Sequence, residues 1–204
     1  MNRLHRTLAV AAAALGCTSV IAGRKPAMDP SVLASEIDQE TDHISALELA
    51  EQIMRTDPTL RVFDLRSTTD FDDFHIPTAQ RANLSDLTHA ALPLNSRIVL
   101  YSAGGAHAAQ AWVLLRLRGY RNVYFLREGV YEWNARVLEP QLAVDATASE
   151  REAFERAAPL SRFFGGKTHT GISRAELLPG YWMRTSNEGG LAIAQAGPVR
   201  RRGC

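Results

Sequence analysis

Three short apolar runs, Val62-Phe63, Ile98-Val99-Leu100-Tyr101 and Val123-Tyr124-Phe125-Leu126, show no alternation of polar and apolar residues. A strand wet on one face alternates with period two. A run without alternation reads as a strand covered on both faces, the condition of a central parallel strand. Parallel strands need crossovers, and helix signals lie between these runs. Ser67 heads a segment ending before His75-Ile76-Pro77, Ser85 or Asp86 heads a short one reaching His89, and a longer one spans His107 to Arg118. In the longer segment Ala108, Ala111, Trp112 and Leu115 share a face, and Gly119 supplies a left-handed cap. Upstream, Ser45 and Glu48 make a capping box ahead of Leu47, Ile53 and Met54, which predicts a helix ending near Thr56 and Pro58. Strands alternating with helices predict an α/β fold, a small three-layer domain with a mostly parallel sheet and helices on both faces.

The remainder of the 204 residues divides around this core. Arg3, His5 and Arg6 precede an apolar run from Leu8 to Leu15, too short for a mature membrane span of about 20 residues, so residues 1–22 are expected to be an export signal. Ala14-Leu15-Gly16-Cys17 resembles a bacterial lipobox, which predicts lipidation at Cys17; ordinary cleavage after Ala22 is the alternative. Either outcome places the protein outside the cytoplasm, as a membrane-anchored lipoprotein facing the periplasm or cell surface, or as a soluble exported protein. Residues 23–42 carry Pro26 and Pro30 without an apolar period and are expected to be a linker between membrane and domain, with room for one helical turn. Ser149 and Glu152 suggest a second capping box and a helix that Pro159 should end, within an extension over residues 141–164. Residues 165–204 show no period and are expected to be a disordered basic tail ending in Arg200-Arg201-Arg202 and Cys204.

Charge and cysteine content narrow the function classes. A net charge of +1 with no basic stripe among the few aromatics argues against nucleic acid as a partner. The two cysteines are Cys17 and Cys204. Lipidation or removal of Cys17 leaves Cys204 as a single free thiol, with no intrachain disulfide. His43, His75, His89 and His107 lack ligand spacing, so no metal is expected, and no other cofactor is implied. His75, beside Pro77, reads as a turn residue bonded to backbone.

Several segments in order carry a family likeness: His43-Ile44-Ser45 through Leu49-Ala50; Val62-Phe63-Asp64-Leu65-Arg66-Ser67; Phe71 through His75-Ile76-Pro77-Thr78-Ala79; and Gly119-Tyr120, Asn122-Val123, Leu126, Gly129 and Trp133. Together they make residues 43–140 resemble a rhodanese domain, the sulfurtransferase family. The resemblance implies that the strand ending at Tyr101 delivers a persulfide-carrying cysteine onto a six-residue loop. That loop corresponds to Ser102-Ala103-Gly104-Gly105-Ala106-His107, with Ser102 in the cysteine position. Gly104 and Gly105 permit a tight turn, and the free amides opening the next helix favour an anion. Serine cannot store sulfane sulfur, and its hydroxyl needs an adjacent base where a thiol with a pKa of about 8.5 does not. His107 stands where many relatives carry arginine, replacing a forked cation with a ring mostly neutral near pH 7. Thr78 replaces the glycine usual after the proline, and Glu128 the first of two glycines before the tryptophan.

These readings predict a cell-envelope module without ordinary thiosulfate sulfurtransferase turnover. Its expected partners are a small anion or sulfur compound, a protein, and the membrane through the lipid anchor. Asp64 and Arg66 are placed at the pocket mouth, because ligands of open α/β sheets gather at the carboxyl ends of strands; an ion pair that orders the loop is the simpler role for them. Two enzyme readings compete. In one, Cys204 carries sulfur or exchanges disulfides: forty residues separate it from Phe164, a coil span of about 35 Å against a radius of gyration of roughly 13 Å for such a domain. In the other, Ser102 and His107 form a hydrolase site faintly similar to a nucleophile elbow, although Leu100 occupies the place of its first glycine.

Overall fold

In a computed structural model of the chain, the structure is described for residues 29–177; Cys17, the export signal, Tyr181-Trp182-Met183, Arg200 to Arg202 and Cys204 lie outside the described residues. The predicted α/β fold is present. Five parallel strands, β1 (His43–Ile44), β2 (Leu60–Asp64), β3 (Ala79–Arg81), β4 (Arg97–Tyr101) and β5 (Val123–Leu126), stand in the order β1-β5-β4-β2-β3. The central strand shows why its sequence does not alternate, since Ile98, Val99, Leu100 and Tyr101 are each 0% exposed. Ile98 and Leu100 enter a core cluster with Leu33, Trp112 and Leu115, while Val99 and Tyr101 enter a second with Leu49, Trp133 and Leu160. One strand therefore supplies both layers of core.

Helices α1 (Pro30–Asp38), α2 (Ala46–Met54), α3 (Thr68–Asp73), α4 (Leu84–His89), α5 (Ala106–Leu117) and α6 (Val130–Trp133) link and flank the strands, and a π-helix (Asn134–Leu138) continues α6. The Ser45–Glu48 capping box and the Ser67 cap form as expected. The cap of α4 is Asn83, not Ser85 or Asp86, because the helix begins one residue before Ser85 and the Asn83 side chain accepts from Asp86 N–H at 2.8 Å. Gly119 takes φ 93°, the left-handed conformation foreseen for it.

Three expectations fail beyond residues 43–140, each for a physical reason. The stretch expected to be linker contains α1: Asp29 caps it, Pro30 sits at its first turn where the missing N–H costs nothing, and Leu33 is buried. Helix α7 (Ala148–Phe163) is capped by Thr147 and Glu150, two residues before the expected Ser149 and Glu152, and runs through Pro159. Burial of Ala157, Leu160 and Ser161 on both sides of the proline offsets the lost hydrogen bond. Residues 165–177 of the segment expected to be tail are structured, because β7 (His169–Ile172) pairs in parallel with β6 (Gln141–Ala143). Lys167 N–H donates to Leu138 O at 2.7 Å, Arg174 binds Asp145 and Glu150, and Leu177 packs with Ala143 and Ala146.

Candidate functional site at the carboxyl end of the sheet

The strand order locates a switch point. From β2 the chain moves outward to β3, and from β4 it moves the other way to β5. The carboxyl ends of the neighbouring strands β2 and β4 thus form the topological switch point, where open α/β sheets hold ligands. The Asp64–Arg66 segment leaves one strand there, and the Ser102–His107 loop leaves the other.

The second loop is shaped by backbone. Gly105 has φ 87° and caps α5, and a Cβ there would stand 1.9 Å from Arg127 O. Gly129 has φ 56°, and its Cβ would stand 1.8 Å from Ser102 O. Glycine is therefore required at both positions. Val130 N–H donates to Ser102 O at 3.0 Å, so the start of α6 holds the loop from below. Ser102 is 3% exposed, and its Oγ accepts from Gly105 N–H at 3.1 Å instead of pairing with His107. Ala103, Gly104, Ala106 and His107 are exposed. The amides of Ala106 and His107 precede the first intrahelical bond and remain free for an outside acceptor.

The first loop is shaped by charge. Arg66 Nη2 lies 2.6 Å from Asp64 Oδ2, with side-chain exposures of 10% and 0%. Arg66 Nε also donates to Asp64, and Arg66 Nη2 to Phe74 O. The guanidinium stands 5.6 Å from the centre of the Tyr101 ring, whose hydroxyl accepts from Ile76 N–H at 3.1 Å. Burial, with Asp64 beside it, pushes the Tyr101 phenol well above its ordinary value. Asp64 and Arg66 are thereby committed to one another and to the loop, the simpler of their two expected roles. His75 is the turn residue expected: its Nδ1–H donates to Phe71 O at 2.9 Å and its ring stacks on Phe71.

A polar cluster that the sequence reading did not single out lies beside the loop. His43 Nδ1 is 2.7 Å from Asp42 Oδ1, its Nε2 meets the Arg127 guanidinium, and Arg127 also binds Glu40 at 3.1 Å. Below it Glu132 accepts from Ala46 N–H at 3.1 Å, and burial pushes its carboxyl up. These residues are scattered between positions 40 and 132, and no spacing in the chain announces their meeting. Among the described residues no cluster of three His, Cys, Asp or Glu side chains suits a metal ion.

The parallel sheet, the switch point in its strand order and the glycine-shaped loop after β4 define a small open-sheet α/β domain. Residues 45–136 match the family described as the rhodanese-like domain, and this part of the chain is a rhodanese-like domain. Solved structures similar to the chain include the rhodanese-like domain of an Anabaena sp. protein, 27% identical over 46% of this chain and 73% of that one, with a TM-score of 0.42. A human single-domain sulfurtransferase is 24% identical over 45% of this chain and 94% of its own, with a TM-score of 0.40. Comparison with curated proteins gives no match.

Proposed function

We propose that the protein is a cell-envelope binding module, anchored through Cys17, whose 102–107 loop takes a small anion or sulfur compound, free or presented by a protein partner, without sulfurtransferase turnover. The observation that carries this reading is the state of Ser102, buried and with its hydroxyl engaged by Gly105 N–H; on the family resemblance it stands in the nucleophile position, without a thiol. A hydroxyl so held has no base within hydrogen-bonding contact, which also weighs against hydrolysis through His107. What the loop keeps is its shape, set by Gly105 and Gly129, and exposed amides that suit an acceptor oxygen. With His107 in place of a guanidinium, binding should be weak and geometric more than electrostatic.

Amide NMR shifts of the full chain on titration with thiosulfate or sulfite test the binding. Movement confined to residues 103–108 is expected, and shifts spread evenly over the surface contradict it. The competing enzyme reading, through Cys204, predicts sulfur loading that disappears in Cys204→Ser; equal loading of both chains removes it. Incorporation of a labelled fatty acid that is lost in Cys17→Ser tests the anchor.

A further inference from the structure

The parallel sheet gives the domain two chemically different ends. Where strands finish and helices start, acids occupy first turns, Glu48 in α2, Asp70 in α3 and Asp86 in α4, as the helix dipole favours. Where β2, β4 and β5 begin and α5 ends, the charged side chains are chiefly Arg61, Arg97, Arg118 and Arg121, with Asp57 seated near Arg61 and Arg97. Arg61 donates to Pro58 O and Leu60 O, Arg118 to Leu87 O and Ala90 O, and Arg97 lies 4.5 Å from the centre of the Tyr124 ring. Carbonyls and a ring fix Arg61, Arg118 and Arg97, and Asp57 offsets part of the charge of Arg61 and Arg97. Two apolar side chains project at the same end, Leu94 at 72% exposure and Leu117 at 53%. Arginines rimmed by exposed leucines suit an anionic bilayer surface, where charge attracts and leucine enters the headgroup boundary.

The entry of the chain is at this end too. Helix α1 meets α5 near its finish, through the pairing of half-buried Glu36 with buried Arg116, and then climbs until Glu40 reaches Arg127 beyond β5. Asp29 and Pro30 therefore lie toward the basic end. Cys17 stands twelve residues before Asp29, a reach of at most about 42 Å.

We infer that the end carrying Arg61, Arg97, Arg118, Arg121, Leu94 and Leu117 docks on an anionic phospholipid surface, turning the 102–107 loop away from the membrane. The orientation rests on anchoring at Cys17; the surface affinity does not.

The test is co-sedimentation of the full chain with phosphatidylcholine vesicles, with and without phosphatidylglycerol. The unaltered chain is expected to bind the anionic vesicles more tightly. Arg61→Gln with Arg121→Gln should weaken that binding about thirtyfold, from roughly fivefold per arginine, with thermal melting confirming that the variant is folded. Arg81→Gln with Arg162→Gln, an equal charge change outside this set of arginines, should leave most of the binding in place. Indifference to phosphatidylglycerol, equal losses in both pairs, or loss only when Arg200, Arg201 and Arg202 are changed to Gln would each overturn the proposal. Failure of fatty-acid labelling with binding retained removes the anchor alone.

Discussion

The two loops at the switch point are built by opposite means. The 102–107 loop owes its path to main chain: a left-handed Gly105, a Gly129 pressed on Ser102 O, and an amide from Val130. The segment after β2 owes its path to side chains, the Asp64 carboxylate holding Arg66, which in turn reaches Phe74 O. The difference teaches which positions are free to vary. Where the backbone sets the shape, the side chain at 102 is free to vary without deforming the loop. Where an ion pair sets it, neither partner can be lost.

The largest effect expected from breaking this contrast is at the pair. Asp64→Ala leaves Arg66 buried and unpaired and should cost about 3–5 kcal/mol, read as a fall in the urea midpoint. Gly129→Ala attacks the backbone-built loop by driving a methyl into Ser102 O at a φ reserved for glycine, and about 3 kcal/mol is expected from strain and displacement together. If it proves harmless, the loop is not held as described. Thr78 reverses the sign: it is a β-branched residue at φ 69°, where the family resemblance implies glycine. Thr78→Gly should therefore raise stability by about 1 kcal/mol, a gain visible in thermal melting.

The smallest effect concerns the C-terminal extension, which should yield before either loop. The Arg174 hydrogen bonds, with Thr147 N–H, hold the Glu150 carboxyl down to about 2. Because this folded value lies below the ordinary one, the stabilisation is complete above about 4.5 and fades as pH falls toward 2. Amide exchange near Arg174 should accelerate across that window, ahead of exchange in β4, and Glu150→Gln should abolish the pH dependence.

Legibility in the sequence tracked the range of the forces involved. The buried strands, the Ser45–Glu48 box, the Ser67 cap and Gly119 were readable because each is set by neighbours in the chain. Strands β1 and β3, of two and three residues, are too short to show a period and exist because β5 and β2 offer them edges. Pro30 and Pro159 misled in one direction: each was read as a breaker, yet one occupies a first turn and the other is carried by the burial around it. The pairing of β6 with β7 unites residues nearly thirty positions apart, which no local pattern announces. At the site, the glycines at 104 and 105 signalled the turn, whereas the Oγ contact of Ser102 with Gly105 and the cluster of Asp42, His43 and Arg127 depended on tertiary approach.

The central claim is that the cradle persists while its nucleophile is absent. Its most direct test is thiocyanate formation from thiosulfate and cyanide by the full chain beside Ser102→Cys, both verified as folded. No turnover by the unaltered protein and clear turnover by Ser102→Cys is the predicted result; robust turnover by the unaltered protein, or a folded Ser102→Cys that stays inert, would contradict it.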